Sequence, residues 1–131
     1  MNEIPYRISD GGFSGSGIVD KNNCTVVGFA NATGINYKIA DEIAVKTGRK
    51  RKKGHWPDKM VTYAKRVHSL KFKKLKFKQM TVQKFIKKYP TGKYIVSRSR
   101  HCFAIVDGYV LDRANFNTPM QRITEAWRFE R

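Results

Sequence analysis

The N-terminal part of the chain carries apolar residues at helical spacing. Apolar positions that recur every three to four residues, bounded by capping and helix-breaking residues, predict helices. Gly34 and Gly48 follow the first two such segments, and Pro57 fits the first turn of the third. Thr81 is a good N-cap for the fourth, which ends at Pro90. The predicted helices are 23–33, 36–47, 56–68 and 81–90.

Short runs of β-branched and aromatic residues dominate the C-terminal third and predict strands. These runs are 93–99, 101–106, 109–112 and 121–130, and a short alternating run at 73–78 precedes them. Asp107-Gly108 separates two of the runs, and this dipeptide is a strong signal for a two-residue hairpin turn. Helices followed by an antiparallel sheet predict an α+β fold.

The chain of 131 residues is long enough for one domain with one hydrophobic core. Residues 11–17 are rich in Gly and Ser, so we predict that 1–20 form a flexible arm and 21–131 a single domain. No segment has the pattern of a signal peptide or a membrane span. We therefore expect a cytoplasmic protein without membrane contact, in which Cys24 and Cys102 are reduced thiols.

The formal net charge is +17, and its distribution is uneven. Sixteen of the 27 Lys and Arg residues lie between 49 and 88, where Asp58 is the one acidic residue. Such a surface binds nucleic acid non-specifically at low salt, or matches an acidic protein partner; the alternative is a solvated face that only keeps the protein soluble. The densest run consists of Arg49, Lys50, Arg51, Lys52 and Lys53.

Cys24 lies at the predicted start of the first helix, after Asn22 and Asn23. The helix dipole and the free backbone N–H groups at this end favour the thiolate, which is the nucleophilic form. Cys24 is therefore a candidate nucleophile, and the alternative is a small apolar residue on the first turn.

The predicted hairpin places a histidine beside a carboxylate. If Asp107-Gly108 is the turn, Val106 opposes Tyr109 and the pairing places Asp112 opposite Phe103. Side chains alternate between the faces of a strand, so His101 lies on the same face as Asp112 and close enough for a hydrogen bond.

Cys102 points to the opposite face of that strand and is predicted to be a packing residue. Cys24, His101 and Asp112 then fit one mechanism, in which the histidine activates the thiol and the aspartate orients the histidine. The alternative is that His101 and Asp112 are unrelated strand residues. The spacing of two Cys and three His matches no closed zinc site, and no metal or cofactor is implied.

Two blocks, "NNCTVVGFANATGINYKIADE" and "YPTGKYIVSRSRHCFAIVDGYVLD", resemble the small papain-like cysteine peptidases of bacteriophages. In these proteins a Cys on the first helix precedes a His-x-x-Ala-x-Val-Asp-Gly strand. The resemblance covers residues 20–130 and implies that Cys24 is the nucleophile, His101 the base and Asp112 the orienting acid. It implies a viral hydrolase that cleaves a peptide or isopeptide bond in a peptide or protein, in the cytoplasm of the host cell.

One position departs from the papain-like pattern. Six residues before the nucleophile, where papain-like enzymes usually carry a glutamine that completes the oxyanion hole, this chain has Ile18. We predict that Asn23 or Asn22 supplies the missing donor, ahead of Asp20. Glutamine-amide hydrolysis and acyl transfer use the same triad, and both remain open as alternative reactions. The alternative is an inactive papain-like scaffold that binds nucleic acid or an acidic host protein through its basic segment.

Overall fold

A computed structural model describes residues 4–130, which form four helices and seven strands. The helices are α1 (Cys24–Thr33), α2 (Tyr37–Lys46), α3 (Pro57–Val67) and α4 (Val82–Lys88). The strands are β1 (Tyr6–Ile8), β2 (Phe72–Lys74), β3 (Met80–Thr81), β4 (Lys93–Arg98), β5 (His101–Val106), β6 (Tyr109–Asp112) and β7 (Arg122–Phe129). None of the helices in this described part is long and apolar enough to cross a membrane.

All seven strands belong to one open sheet with the order β1-β6-β5-β4-β7-β2, and β3 also pairs with β7. The pairing is antiparallel throughout, except that β1 runs parallel to β6. The three long helices precede the sheet-forming strands β4 to β7 in the chain. The predicted α+β class is therefore confirmed.

The hairpin between β5 and β6 has the predicted register, with Val106 opposite Tyr109. Asp107 (φ 48°) and Gly108 (φ 81°) both adopt left-handed conformations, as a two-residue type I′ turn requires. Ala104 lies opposite Leu111, so the next step along the ladder brings Asp112 to the level of Phe103.

The sheet buries both of its faces. Helices α1, α2 and α3 cover one face, where Ile95, Cys102 and Trp127 point towards them, and α4 packs on the other face against Phe103 and Ile105. Helix α1 lies mainly on β5. Gly28 permits this close approach, because a Cβ atom there would lie 3.3 Å from the Phe103 Cα and 3.4 Å from the Cys102 Sγ. The first turn of α1 is thereby held beside the start of β5.

The N-terminal segment differs from the predicted flexible arm 1–20, of which residues 1–3 lie outside the described part. Strand β1 extends the sheet by pairing with β6, whose edge would otherwise be open. The Phe13 and Tyr37 rings contact each other at 5.2 Å between centroids. Residues from Tyr6 onward are thus part of the folded domain rather than a linker to it.

The run 73–78 also differs from its predicted structure as one strand. Its regular part ends at Lys74, and β2 begins earlier, at Phe72. Leu75 and Phe77 do turn inward, as predicted, since both pack against the apolar cluster under α4.

Arg49 is not part of an exposed basic patch. Its side chain is fully buried and makes a bidentate ion pair with buried Asp20, with N–O distances of 2.7 and 3.0 Å. Arg51 is paired as well, at 2.6 Å from Asp41. The sequence run thus combines an internal ion pair with exposed lysines, because the loop folds back over the segment before α1. The exposed lysines are Lys50, Lys52 and Lys53.

We expect Arg49→Gln to lower the free energy of unfolding by about 3–5 kcal/mol, because it leaves the Asp20 carboxylate buried without its partner. Lys50→Gln removes an exposed positive charge one residue away and should change that free energy by less than about 0.5 kcal/mol. Urea unfolding of the two variants and the wild type measures both effects. Equal free energies of unfolding for the two variants would show that the Arg49–Asp20 ion pair does not stabilise the fold.

Candidate active site

Cys24 is the first residue of α1, and its side chain is partly buried. Asn23 occupies the N-cap position but makes no side-chain capping bond. The first N–H groups of a helix have no partners within the helix, so they are available to an anion at this end. The helix dipole adds a positive potential at the same place.

His101 begins β5 and Asp112 ends β6, and the hairpin register brings their side chains together. The His101 Nε2 lies 2.5 Å from the Asp112 Oδ2, and the Asp112 side chain is almost fully buried. The imidazole is held from both sides, stacked on Phe103 at 5.9 Å and edge-on to Phe116 at 5.5 Å. Since Nε2 donates to Asp112, Nδ1 is the ring nitrogen left for Cys24.

Cys24 and His101 line the same cleft and lie close enough that each shifts the pKa of the other. Burial by itself would raise the pKa of the Cys24 thiol, but the hydrogen bond and the positive charge of His101 outweigh burial and lower this pKa below its ordinary value. Burial would likewise lower the pKa of His101, yet its hydrogen bonds to Asp112 and Cys24 and their negative charges raise it to about 9. The two shifts favour a thiolate–imidazolium pair, in which His101 stays protonated up to about pH 9.

Asn117 stands behind the aspartate and was not predicted in this role. Its Nδ2 donates to the Asp112 Oδ2 at 3.0 Å, and its Oδ1 accepts from the Arg98 Nε at 2.9 Å. Because Asn117 is buried, this chain of hydrogen bonds fixes the same Asp112 oxygen that pairs with His101. Residues 113–121 form no helix or strand, so no periodicity in the sequence could have placed Asn117 there.

The structure does not bring the two predicted oxyanion-hole side chains to this site. Asn23 is completely buried, and its Nδ2 donates to the Tyr37 Oη at 2.9 Å. Asn22 has a left-handed backbone (φ 52°) that directs its Nδ2 to the Lys52 carbonyl at 3.1 Å. Asp20 is held by the ion pair with Arg49. The donors that remain beside the sulfur are backbone N–H groups at the start of α1.

Cys102 lies directly beneath the site as a packing residue. It is 3% exposed and touches α1 at Gly28. Burial, followed by the negative charge of Cys24, raises the pKa of the Cys102 thiol well above its ordinary value. Its backbone N–H acts on the Cys24 sulfur and lowers the pKa of that thiol. Cys102 thus contributes backbone to the site but no nucleophile of its own.

A cleft of about 720 Å³ opens over Cys24 and His101. One wall is the segment 54–57, which the Thr25 hydroxyl holds against α1 by donating to the His55 carbonyl at 2.7 Å. The turn between β4 and β5 forms part of the other wall. Trp56 is 66% exposed at the cleft, where its ring offers an apolar surface to a bound chain.

Within residues 4–130, no three His, Cys, Asp or Glu side chains gather in a group that could hold a metal ion. The site therefore offers nucleophilic and acid–base groups, which act on an electrophile such as a carbonyl carbon.

No protein-family model matches the chain, and searches of curated proteins and of solved structures find no match. The resemblance to papain-like peptidases consequently rests on the two sequence blocks alone. The function has to be inferred from the geometry of Cys24, His101 and Asp112.

Proposed function

We propose that the protein is a cysteine hydrolase of papain type that cleaves a peptide or isopeptide bond. The observation that carries this proposal is that the helix-terminal thiol of Cys24 and the imidazole of His101 line one cleft, with the buried Asp112 carboxylate 2.5 Å from the His101 Nε2. Cys24 is the nucleophile, His101 the proton carrier and Asp112 the residue that orients His101. This arrangement of roles is shared by cysteine hydrolases on several folds.

The proposed reaction proceeds through a thioester. The Cys24 thiolate attacks the amide carbonyl carbon and forms a C–S bond, while backbone N–H groups at the start of α1 stabilise the resulting oxyanion. The oxyanion collapses, the C–N bond breaks, and the imidazolium of His101 gives its proton to the departing amine. Water then attacks the thioester with His101 as base, which releases the acid product and restores the thiol.

The type of substrate and the origin of the protein are part of the same proposal. A nucleophile on a helix that packs against a sheet carrying the base and the acid supports the papain-like assignment. The quoted motifs support a bacteriophage member of that class that acts in the host-cell cytoplasm. Transfer of the acyl group to an amine, or hydrolysis of a glutamine side chain, would use the same thioester.

Binding of a polyanion is a second candidate function. It is favoured by the exposed side chains of Lys50, Lys52 and Lys53 and by the net charge of +17. Because Arg49 and Arg51 are paired with carboxylates, the binding surface carries less free charge than the sequence predicts. These lysines are not triad residues, so the two functions are separable by mutation.

Incubation with a pool of synthetic peptides of mixed sequence tests the proposed hydrolase. Cleavage creates new amino termini, which mass spectrometry identifies together with the bonds that were cut. Cleavage that needs Cys24 supports the proposal. Retention of DNA without any cleavage would favour the second function instead.

A further inference from the structure

Two arginines at the turn between β4 and β5 line the cleft. Arg98 ends β4, Arg100 precedes β5, and both residues line the cleft that also contains Cys24 and His101. Among the described residues neither guanidinium takes part in an ion pair. The cleft thus holds two positive charges without fixed counterions.

The acidic residue that borders the cleft does not neutralise these arginines. The Glu125 carboxylate is paired with the Lys74 ammonium at 2.8 Å, and Lys74 also lies 3.5 Å from Asp58. The carboxylate of Asp112 is almost fully buried and already accepts hydrogen bonds from His101, Asn117 and the Arg113 N–H. Among the described residues the Arg100 guanidinium therefore has no ion-pair partner, and the Arg98 guanidinium is compensated only in part, by the charges of Asp112 and Cys24.

Arg98 is held in place while much of its hydrogen-bonding capacity stays free. Its Nε donates to Asn117 at 2.9 Å, which fixes the plane of the guanidinium. Its two terminal nitrogens make only long contacts of 3.4 Å, with the carbonyls of Ser99 and Phe116. A fixed guanidinium with available N–H groups suits a carboxylate, which it binds with two parallel hydrogen bonds.

We infer that the cleft selects peptides with an Asp or Glu side chain next to the scissile bond, whose carboxylate binds Arg98 and Arg100. This inference rests on the proposed hydrolase and names its substrate class. Arg98 is joined to Asp112 through hydrogen bonds of Asn117, and it is near enough to Cys24 for their charges to interact. A substrate carboxylate bound to Arg98 therefore lies close to the carbonyl that Cys24 attacks. The exposed face of Trp56 contacts the same peptide across the cleft.

Alkylation of Cys24 by iodoacetate and by iodoacetamide tests the charge preference without a known substrate. The two reagents are similar in size and differ in charge. We expect Arg100→Gln to lower the ratio of the iodoacetate to the iodoacetamide rate constant about threefold, and Arg98→Gln/Arg100→Gln to lower it further. Lys87→Gln removes an exposed positive charge on α4 that does not line the cleft, and it should leave the ratio unchanged.

The outcomes separate this inference from the proposed hydrolase. If iodoacetamide labels Cys24 no faster than Cys102, the hydrolase proposal fails. If Cys24 is the faster thiol but Arg100→Gln and Lys87→Gln give the same ratio as the wild type, the acidic preference alone is overturned. The bonds cut in the peptide pool provide a second measurement, in which Asp and Glu should be enriched beside the cleavage sites; no enrichment overturns the inference.

A competition experiment distinguishes a peptide carboxylate from a phosphate as the ligand of the two arginines. A tetraglutamate peptide should slow the alkylation of Cys24 by iodoacetate, and less so in Arg98→Gln/Arg100→Gln. Protection by a four-nucleotide single-stranded DNA but not by tetraglutamate would assign the arginines to nucleic acid and overturn the inference.

Discussion

Cys24→Ala is expected to reduce amide hydrolysis at least about 10⁴-fold, because alanine offers no atom that can form the thioester. The fold should be retained, since the side chain is only partly buried and α1 is anchored by other residues such as Val26 and Val27. The measurement is the rate at which new amino termini appear in the peptide pool, with circular dichroism as the test of folding.

Cys102→Ala is the matched control for that variant. It removes the other thiol but leaves the Cys102 backbone N–H, which favours the Cys24 thiolate, so hydrolysis should persist. A second control replaces Lys50, Lys52 and Lys53 with serine, which should weaken retention on heparin and reduce its salt dependence. If Cys24→Ala cleaves the peptides as fast as the wild type, the proposed nucleophile is wrong.

Asp112→Asn is expected to lower hydrolysis by about 10²- to 10⁴-fold, although the side chain keeps its size. The Asp112 Oδ2 accepts from His101 and Asn117, and its Oδ1 accepts from the Arg113 N–H. An asparagine side chain has one oxygen and one NH₂ group. Whichever way it is oriented, the NH₂ group would face another N–H donor, either that of Arg113 or those of His101 and Asn117. The imidazole would lose its orientation, and the measurement is again the cleavage rate.

The pH profile shows whether Asp112→Asn acts through His101. Burial lowers the pKa of His101, but Asp112 and Cys24 together raise it to about 9, so loss of the Asp112 contribution should shift the alkaline limit of activity to lower pH. Asp107→Asn is the matched control, because it lies in the hairpin turn, where Asn-Gly is also favoured. Equal activity and equal pH profiles for the two variants would contradict the role of Asp112.

Elements set by local sequence were predictable. The helix that begins at Cys24 and the hairpin at Asp107-Gly108 depend on neighbouring residues, namely caps, breakers and turn formers. The hairpin also fixes the register that places His101 beside Asp112. This part of the candidate site therefore followed from the sequence.

Features that depend on distant residues were not predictable from local patterns. Arg49 was placed with its basic neighbours, yet its partner Asp20 lies 29 residues earlier. Asn23 is a residue type that favours helix N-caps, but its side-chain amide donates a hydrogen bond to the Tyr37 hydroxyl. Strand β1 is short and forms only because β6 presents a free edge. In each case a contact between residues far apart in the sequence sets the environment, and the residue type alone suggests a different environment.

The most direct test of the central claim, that Cys24 is activated by His101, is the pH dependence of its alkylation by iodoacetamide. In the wild type, Cys24 should react at a pH below the ordinary thiol pKa, while Cys102 stays unlabelled until the protein unfolds. In His101→Ala, burial is opposed only by the smaller contributions of the Cys102 backbone N–H and Thr25, so the pKa of Cys24 rises and labelling at neutral pH should slow roughly tenfold or more. Slow labelling of both thiols in the wild type, with no change in His101→Ala, would contradict the activated nucleophile.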